Sequence, residues 1–186
     1  MEEYELNMIF MKINKSKDDF DLFVETGTYV GVTLNSVKSM FNKLISIEIT
    51  DKYFDYASKK FANDHNVELI KGDSVLVLPE LADRYQDSKI VFFLDGHWSA
   101  GDTGKSDIEV PLIEELKVIR EKYNNEALII IDDADLFEGK DPVVCWDDIN
   151  ETNVFLALGD RMSTYFYSED SRYAHKKRLV LELKSK

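Results

Sequence analysis

With 186 residues, 44% of them hydrophobic and 32% charged, the chain is long enough for one full core and has the composition of a soluble globular fold. Its formal net charge of −13 excludes nucleic acid and anionic membrane as expected partners, because both call for a basic surface. Cys145 is the sole cysteine, so no intrachain disulfide forms. An acidic start (Met1-Glu2-Glu3) without a signal-like apolar segment, and the lack of any apolar run of about 18 residues, complete the expectation of a cytoplasmic protein.

The first twenty residues, with Met8, Ile9, Phe10 and Met11, read as an N-terminal arm or lid, and residues 21–186 as a single domain. Asp21–Glu25 reads as a strand and Val30–Phe41 as a helix. Lys43–Glu48 is a second strand, and Asp51–Asp64 carries Tyr53, Phe54, Ala57 and Phe61 at helical spacing. Val67–Ile70 is a third strand, followed by a helix over Val75–Tyr85 that Pro79 is expected to interrupt. Lys89–Asp95 is apolar on both faces. Ser106-Asp107-Ile108-Glu109 has the form of a capping box, opening a helix to about Tyr123. Ala127–Asp132 is another apolar strand, Trp146–Leu158 reads as a helix, and Ser163–Tyr167 with Arg178–Leu183 closes the chain as an antiparallel pair.

Alternating strands and helices with near-continuous apolar strands predict an α/β fold. The expected form is a Rossmann-like doubly wound sheet, mostly parallel with an antiparallel last strand and with helices on both faces. Ligands of such sheets sit outside the carboxyl ends of the strands. The residues expected there are Glu25, Glu48, Asp73, Asp95, Asp132 and Asp133, all acidic. The cluster Lys176-Lys177-Arg178 reads as a solvated strand entrance, and His65 and His175 as residues of surface turns.

The turn Gly27-Thr28-Tyr29-Val30-Gly31 follows the first strand, and Glu48 ends the second. A glycine turn lets a ligand approach the backbone, and an acid at the tip of the second strand can accept from ribose hydroxyls. An adenosine-containing cofactor follows. Tyr29 replaces the central glycine of a dinucleotide turn, and no P-loop sequence occurs, so NAD and phosphate-rich nucleotides are disfavoured. S-adenosylmethionine has adenine and ribose without phosphate, and its cationic sulfonium and amino group suit an acid-lined pocket.

Val24–Gly31, Glu48, Lys71-Gly72-Asp73-Ser74 and Phe93-Leu94-Asp95-Gly96 resemble, in order and spacing, the motifs of class I S-adenosylmethionine-dependent methyltransferases, over roughly residues 20 to 183. The segment from Leu94 to Gly104 is similar to small methyltransferases of viruses and bacteria that modify glycans and sugars. The resemblance implies that Glu25, Gly27, Thr28 and Gly31 shape the methionine end of the pocket. It further implies that Glu48 binds the ribose, that Asp73 and Ser74 hold the adenine, and that Asp95 borders the cofactor.

Asp95 ends one apolar strand and Asp132-Asp133 the next. Neighbouring strands lie about 5 Å apart, so these carboxylates can converge, and a hard divalent cation would relieve their repulsion. The arrangement resembles metal-dependent O-methyltransferases holding Mg²⁺, with Asp95, Asp132 and Asp133 as candidate ligands. Asp95 and His97 are the candidate catalytic residues, His97 as general base or metal ligand. Trp98 is a candidate wall of the acceptor pocket or a core residue, and Gly101–Gly104 a candidate lid. The expected function is O-methylation of a hydroxyl on a sugar or glycan, a small-molecule or glycan acceptor, with a phenolic acceptor or a non-catalytic cofactor-binding module as alternatives. The acceptor and the oligomeric state stay open.

Overall fold

The structure, a computed structural model, describes residues 1–97, 108–140, 143–169 and 177–186. Trp98, the Gly101–Gly104 loop, Ser106, Asp107, His175 and Lys176 lie outside the described residues.

Seven strands form one sheet: β1 (Leu22–Thr26), β2 (Leu44–Glu48), β3 (Val67–Lys71), β4 (Ile90–Leu94), β5 (Ala127–Ile131), β6 (Met162–Glu169) and β7 (Lys177–Leu183). Their order is β3-β2-β1-β4-β5-β7-β6, with β1 to β5 parallel and β7 antiparallel to both its neighbours. The expected doubly wound sheet with an antiparallel last strand is what forms. Successive side chains of a strand point to opposite faces, so the apolar runs of β1, β4 and β5 feed two cores at once. Val24, Phe92 and Ile129 face α4 (Ser74–Arg84), α5 (Leu112–Lys122) and α6 (Glu151–Leu158). Phe23, Val91 and Leu128 face α1 (Glu3–Lys12), α2 (Val32–Val37) and α3 (Asp51–Lys60). Within the N-terminal arm, α1 buries Leu6, Ile9 and Phe10 against Phe20 and Phe23.

Helix ends depart from the sequence expectations for local reasons. α2 starts at Val32, since Gly31 stands before it in a left-handed conformation (φ +64°) that the helix cannot include, and it ends at Val37, short of the expected Phe41. Pro79 does not interrupt α4, which runs through it to Arg84. α5 starts at Leu112, after Pro111, rather than at residue 106. α6 starts at Glu151, where the Asn150 side chain accepts from Asn153 N at 2.9 Å; Trp146 precedes it in a turn, with its ring in the core.

Candidate active site

The parallel strands point their carboxyl ends the same way, which gathers Glu25, Glu48, Asp73, Asp95, Asp132 and Asp133 along one edge of the sheet. Gly27 (φ +83°) brings the turn after β1 against the turn after β4. A Cβ built there would stand 2.2 Å from the Asp95 carbonyl oxygen. Gly31 is equally constrained, its hypothetical Cβ meeting Phe61 at 2.6 Å. Between them Tyr29 adopts φ +47°, a left-handed conformation otherwise favoured by glycine. The turn therefore keeps a glycine-like path without the glycine. Its hold is Glu48, whose Oε2 accepts from Tyr29 N at 2.8 Å while Oε1 accepts from Thr50 N at 2.8 Å and from the Thr50 hydroxyl. A carboxylate has about four acceptor positions, so with three taken Glu48 retains one for a ribose hydroxyl.

Glu25 is 2% exposed. Ser46 donates to its Oε2 at 2.5 Å, and Ser46 in turn bonds Thr28 Oγ1 at 2.6 Å. Burial outweighs the serine hydrogen bond and pushes the Glu25 carboxyl up to about 8. Asp73 caps α4, accepting from Val75 N at 2.9 Å, and sets Ser74 at the helix start. Beneath this corner lies Glu115 of α5, 1% exposed, with a carboxyl raised to about 7 by burial. Glu115 is not among the acids expected at the strand ends. Its signal was an acid among Leu112, Leu116 and Ile119, on the apolar stripe of a helix.

Asp95 is fixed through its backbone N–H, which donates to Thr26 O at 3.1 Å. Burial, then the neighbouring Asp132, Asp133 and Glu25 charges, hold its carboxyl well above the ordinary range. His97 lies between two acids: Nδ1 is 3.7 Å from Asp95 Oδ1 and Nε2 is 3.5 Å from Asp133 Oδ2. The Trp146 ring meets the imidazole edge-on at 5.0 Å between centroids. Asp133 is buried and left-handed (φ +50°), which turns its side chain differently from that of Asp132.

Asp132 points instead to Arg178, whose Nε donates to its Oδ1 at 2.8 Å. Arg178 is fully buried and also reaches Glu5 Oε2 of α1 at 3.3 Å. The solvated strand entrance expected at Lys177-Arg178 is therefore corrected: Lys177 is exposed, but Arg178 is in the interior between two carboxylates. The grouping that lies close together is Asp95, His97 and Asp133, with one ligand atom from each within 4.8 Å of the others. Asp132 lies beside that group and is paired elsewhere.

No protein-family model matches the chain, and no curated protein matches its sequence. Solved structures do resemble it. A SAM-dependent methyltransferase from Aquifex aeolicus aligns with TM-score 0.59 at 16% identity over 93% of this chain and 87% of that one. The chain shares the fold of that protein, a mostly parallel Rossmann-like sheet with an antiparallel strand. The N-methyltransferase NodS from Bradyrhizobium japonicum WM9, in complex with S-adenosyl-L-homocysteine, aligns with TM-score 0.60 at 9% identity, covering 98% and 86%. An rRNA methylase from Streptococcus thermophilus aligns with TM-score 0.59 at 14% identity, covering 100% and 99%. At such identities the likeness is one of fold, and it spans N- and RNA-methylating proteins. The expected exclusion of nucleic acid draws nothing from the fold and rests on charge alone. Among the described residues no helix is long and apolar enough to cross a membrane.

Proposed function

We propose that the chain binds S-adenosylmethionine along the carboxyl edge of the sheet and methylates a hydroxyl of a sugar or glycan in the cytoplasm. The observation that carries this reading is the His97 imidazole between Asp95 and Asp133, next to the turn that Gly27 packs on Asp95. Gly27, Thr28 and Gly31 give the main-chain surface for the methionine end, with Glu25 as the counter-charge of its ammonium. Glu48 takes the ribose, and Asp73 and Ser74 take the adenine. When bound, the cofactor supplies a methyl group on a cationic sulfonium. His97 accepts the acceptor hydroxyl proton at a ring nitrogen, and the Asp133 carboxylate beside Nε2 stabilises the imidazolium. Asp95 also positions the acceptor.

A neutral polyol suits a site crowded with acids. A phosphate backbone would meet both this cluster and the overall charge of −13. A divalent cation, the alternative to His97 as base, fits Asp95, His97 and Asp133 as a mixed carboxylate–imidazole donor set, without Asp132; there it would acidify the acceptor hydroxyl in place of the imidazole.

The test is to incubate the protein and cofactor with neutral sugars and glycans, phenols and an RNA oligonucleotide, with and without EDTA, and to look for a mass gain of one methylene. Methylation of a sugar hydroxyl that His97→Asn abolishes, with cofactor binding retained, is the expected result. Methylation of RNA or phenols alone overturns the acceptor assignment. An unimpaired His97→Asn overturns the base assignment.

A further inference from the structure

Two buried side-chain atoms, Glu115 Oε1 and Trp146 Nε1, have no hydrogen-bond partner among the described residues. Glu115 is 1% exposed and Trp146 2%. They come from different elements, α5 and the turn before α6, yet both line one small cavity beneath the turn after β4. Gly96, His97 and Asp132 line it as well. A buried donor or acceptor left unmatched costs its full desolvation, so such atoms are rare in native folds. Two of them around one cavity point to a shared partner.

The lining selects that partner. The cavity measures about 10 Å³. A single water needs at least about 10–15 Å³, so nothing larger enters. An indole N–H only donates, which excludes a metal ion or an ammonium group beside Trp146. The buried Glu115 carboxyl excludes an anion. Burial raises that carboxyl to about 7, and water matches both of its forms, donating to the carboxylate and accepting from the acid.

We propose that one water molecule bridges Trp146 Nε1 and Glu115 Oε1, and that Glu115 acts through this bridge as a positioning residue for His97. The indole N–H donates to the water, and the water donates to Glu115. The bridge ties α5 to the turn that carries Trp146, whose ring stands edge-on to the His97 imidazole at 5.0 Å between centroids. The imidazole thus meets a ring that is held at its polar atom. Gly96 belongs to the same arrangement. A Cβ there would stand 3.1 Å from Glu115 Oε1 and 3.1 Å from Thr26 Oγ1, so a side chain at this position would press the carboxyl oxygen away from its place. The bridge is a property of the fold and stands whatever reaction His97 serves.

The test is NMR of the isotope-labelled full chain. The sequence has two tryptophans, Trp98 and Trp146, and Trp146→Phe identifies the Trp146 indole signal. His97→Asn identifies the His97 ring signals in the same way. The Trp146 N–H should exchange slowly and show the cross-relaxation of a long-lived bound water. Glu115→Gln still pairs with water and has no exchangeable carboxyl proton, so it should keep both this contact and the His97 ring resonances. Glu115→Met, close in size, should lose the contact and shift the His97 resonances; Glu115→Leu gives the same comparison if the methionine variant does not fold. A wild-type N–H without a water contact, or one bonded directly to the Glu115 carboxyl in a crystal structure, overturns the bridge. So does a contact that survives Glu115→Met or disappears in Glu115→Gln. A His97 ring unmoved by Glu115→Met overturns the positioning role.

Discussion

Glu25→Gln is the sharpest probe of the site's electrostatics. Glu25 is raised from 4.5 to about 8 because burial disfavours its charged form more than the Ser46 hydrogen bond favours it. In the unfolded chain it titrates near 4.5, so between pH 4.5 and about 8 the folded state holds a proton that the unfolded state has released. Stability therefore falls as pH rises through that window. The gap corresponds to at most about 5 kcal/mol. Glu115, raised to about 7, and Asp95, also raised, act in the same direction. Glu68 and Asp19 are lowered, so their contributions change only at more acidic pH and leave this window clear. Glutamine keeps a partner for Ser46 and cannot ionise. Chemical denaturation near pH 5 should find the variant about as stable as the wild type. Near pH 8.5 the variant should be more stable by a few kcal/mol, roughly 2 to 5. A stability difference that stays constant with pH, or a wild type that gains stability from pH 5 to 8.5, would refute a buried, reluctantly ionised Glu25.

Three further substitutions probe separate parts of the site. Gly27→Ala drives a methyl group to 2.2 Å from the Asp95 carbonyl at φ +83°; a loss of about 3 kcal/mol or more in denaturation, with loss of S-adenosylhomocysteine binding, is expected. Arg178→Met leaves the carboxylates of Glu5 and Asp132 without their buried counter-charge. It should cost about 3–5 kcal/mol, most of it recovered on adding Glu5→Gln and Asp132→Asn; equal stability of the single variant and wild type would contradict the pairing. Glu48→Gln should weaken S-adenosylhomocysteine roughly tenfold or more by calorimetry with the fold intact, since it removes charge from the proposed acceptor of a ribose hydroxyl.

Much of the fold was legible because its strands are buried on both faces. Ile90–Leu94 and Ala127–Ile131 allow little else, and the acids at their ends lie on the edge where sheets of this type bind ligands. Helix boundaries were less legible. Gly31 delays the start of α2 through its left-handed φ, and Asn150 rather than the apolar pattern starts α6. Pro79 was expected to break a helix that its packing against the sheet keeps whole. Least legible were the long-range polar contacts. Nothing near Arg178 in sequence indicates that it lies between Glu5, 173 positions away, and Asp132. That contact distinguishes Asp132 from Asp133, which were adjacent and equivalent acids in the sequence. Glu115 was hidden by its ordinary helical neighbours, although an acid within an apolar stripe was a usable sign.

The central claim is that the carboxyl edge of the sheet binds S-adenosylmethionine. The most direct measurement is calorimetric titration with S-adenosylhomocysteine near pH 7, in buffers of different ionisation enthalpy, with EDTA or Mg²⁺ and with NAD as control. S-adenosylhomocysteine should bind and NAD should not. The complex should release a proton, because the ligand's ammonium draws Glu25 from its raised value near 8 into the charged form. Binding of NAD with no response to S-adenosylhomocysteine would contradict the claim.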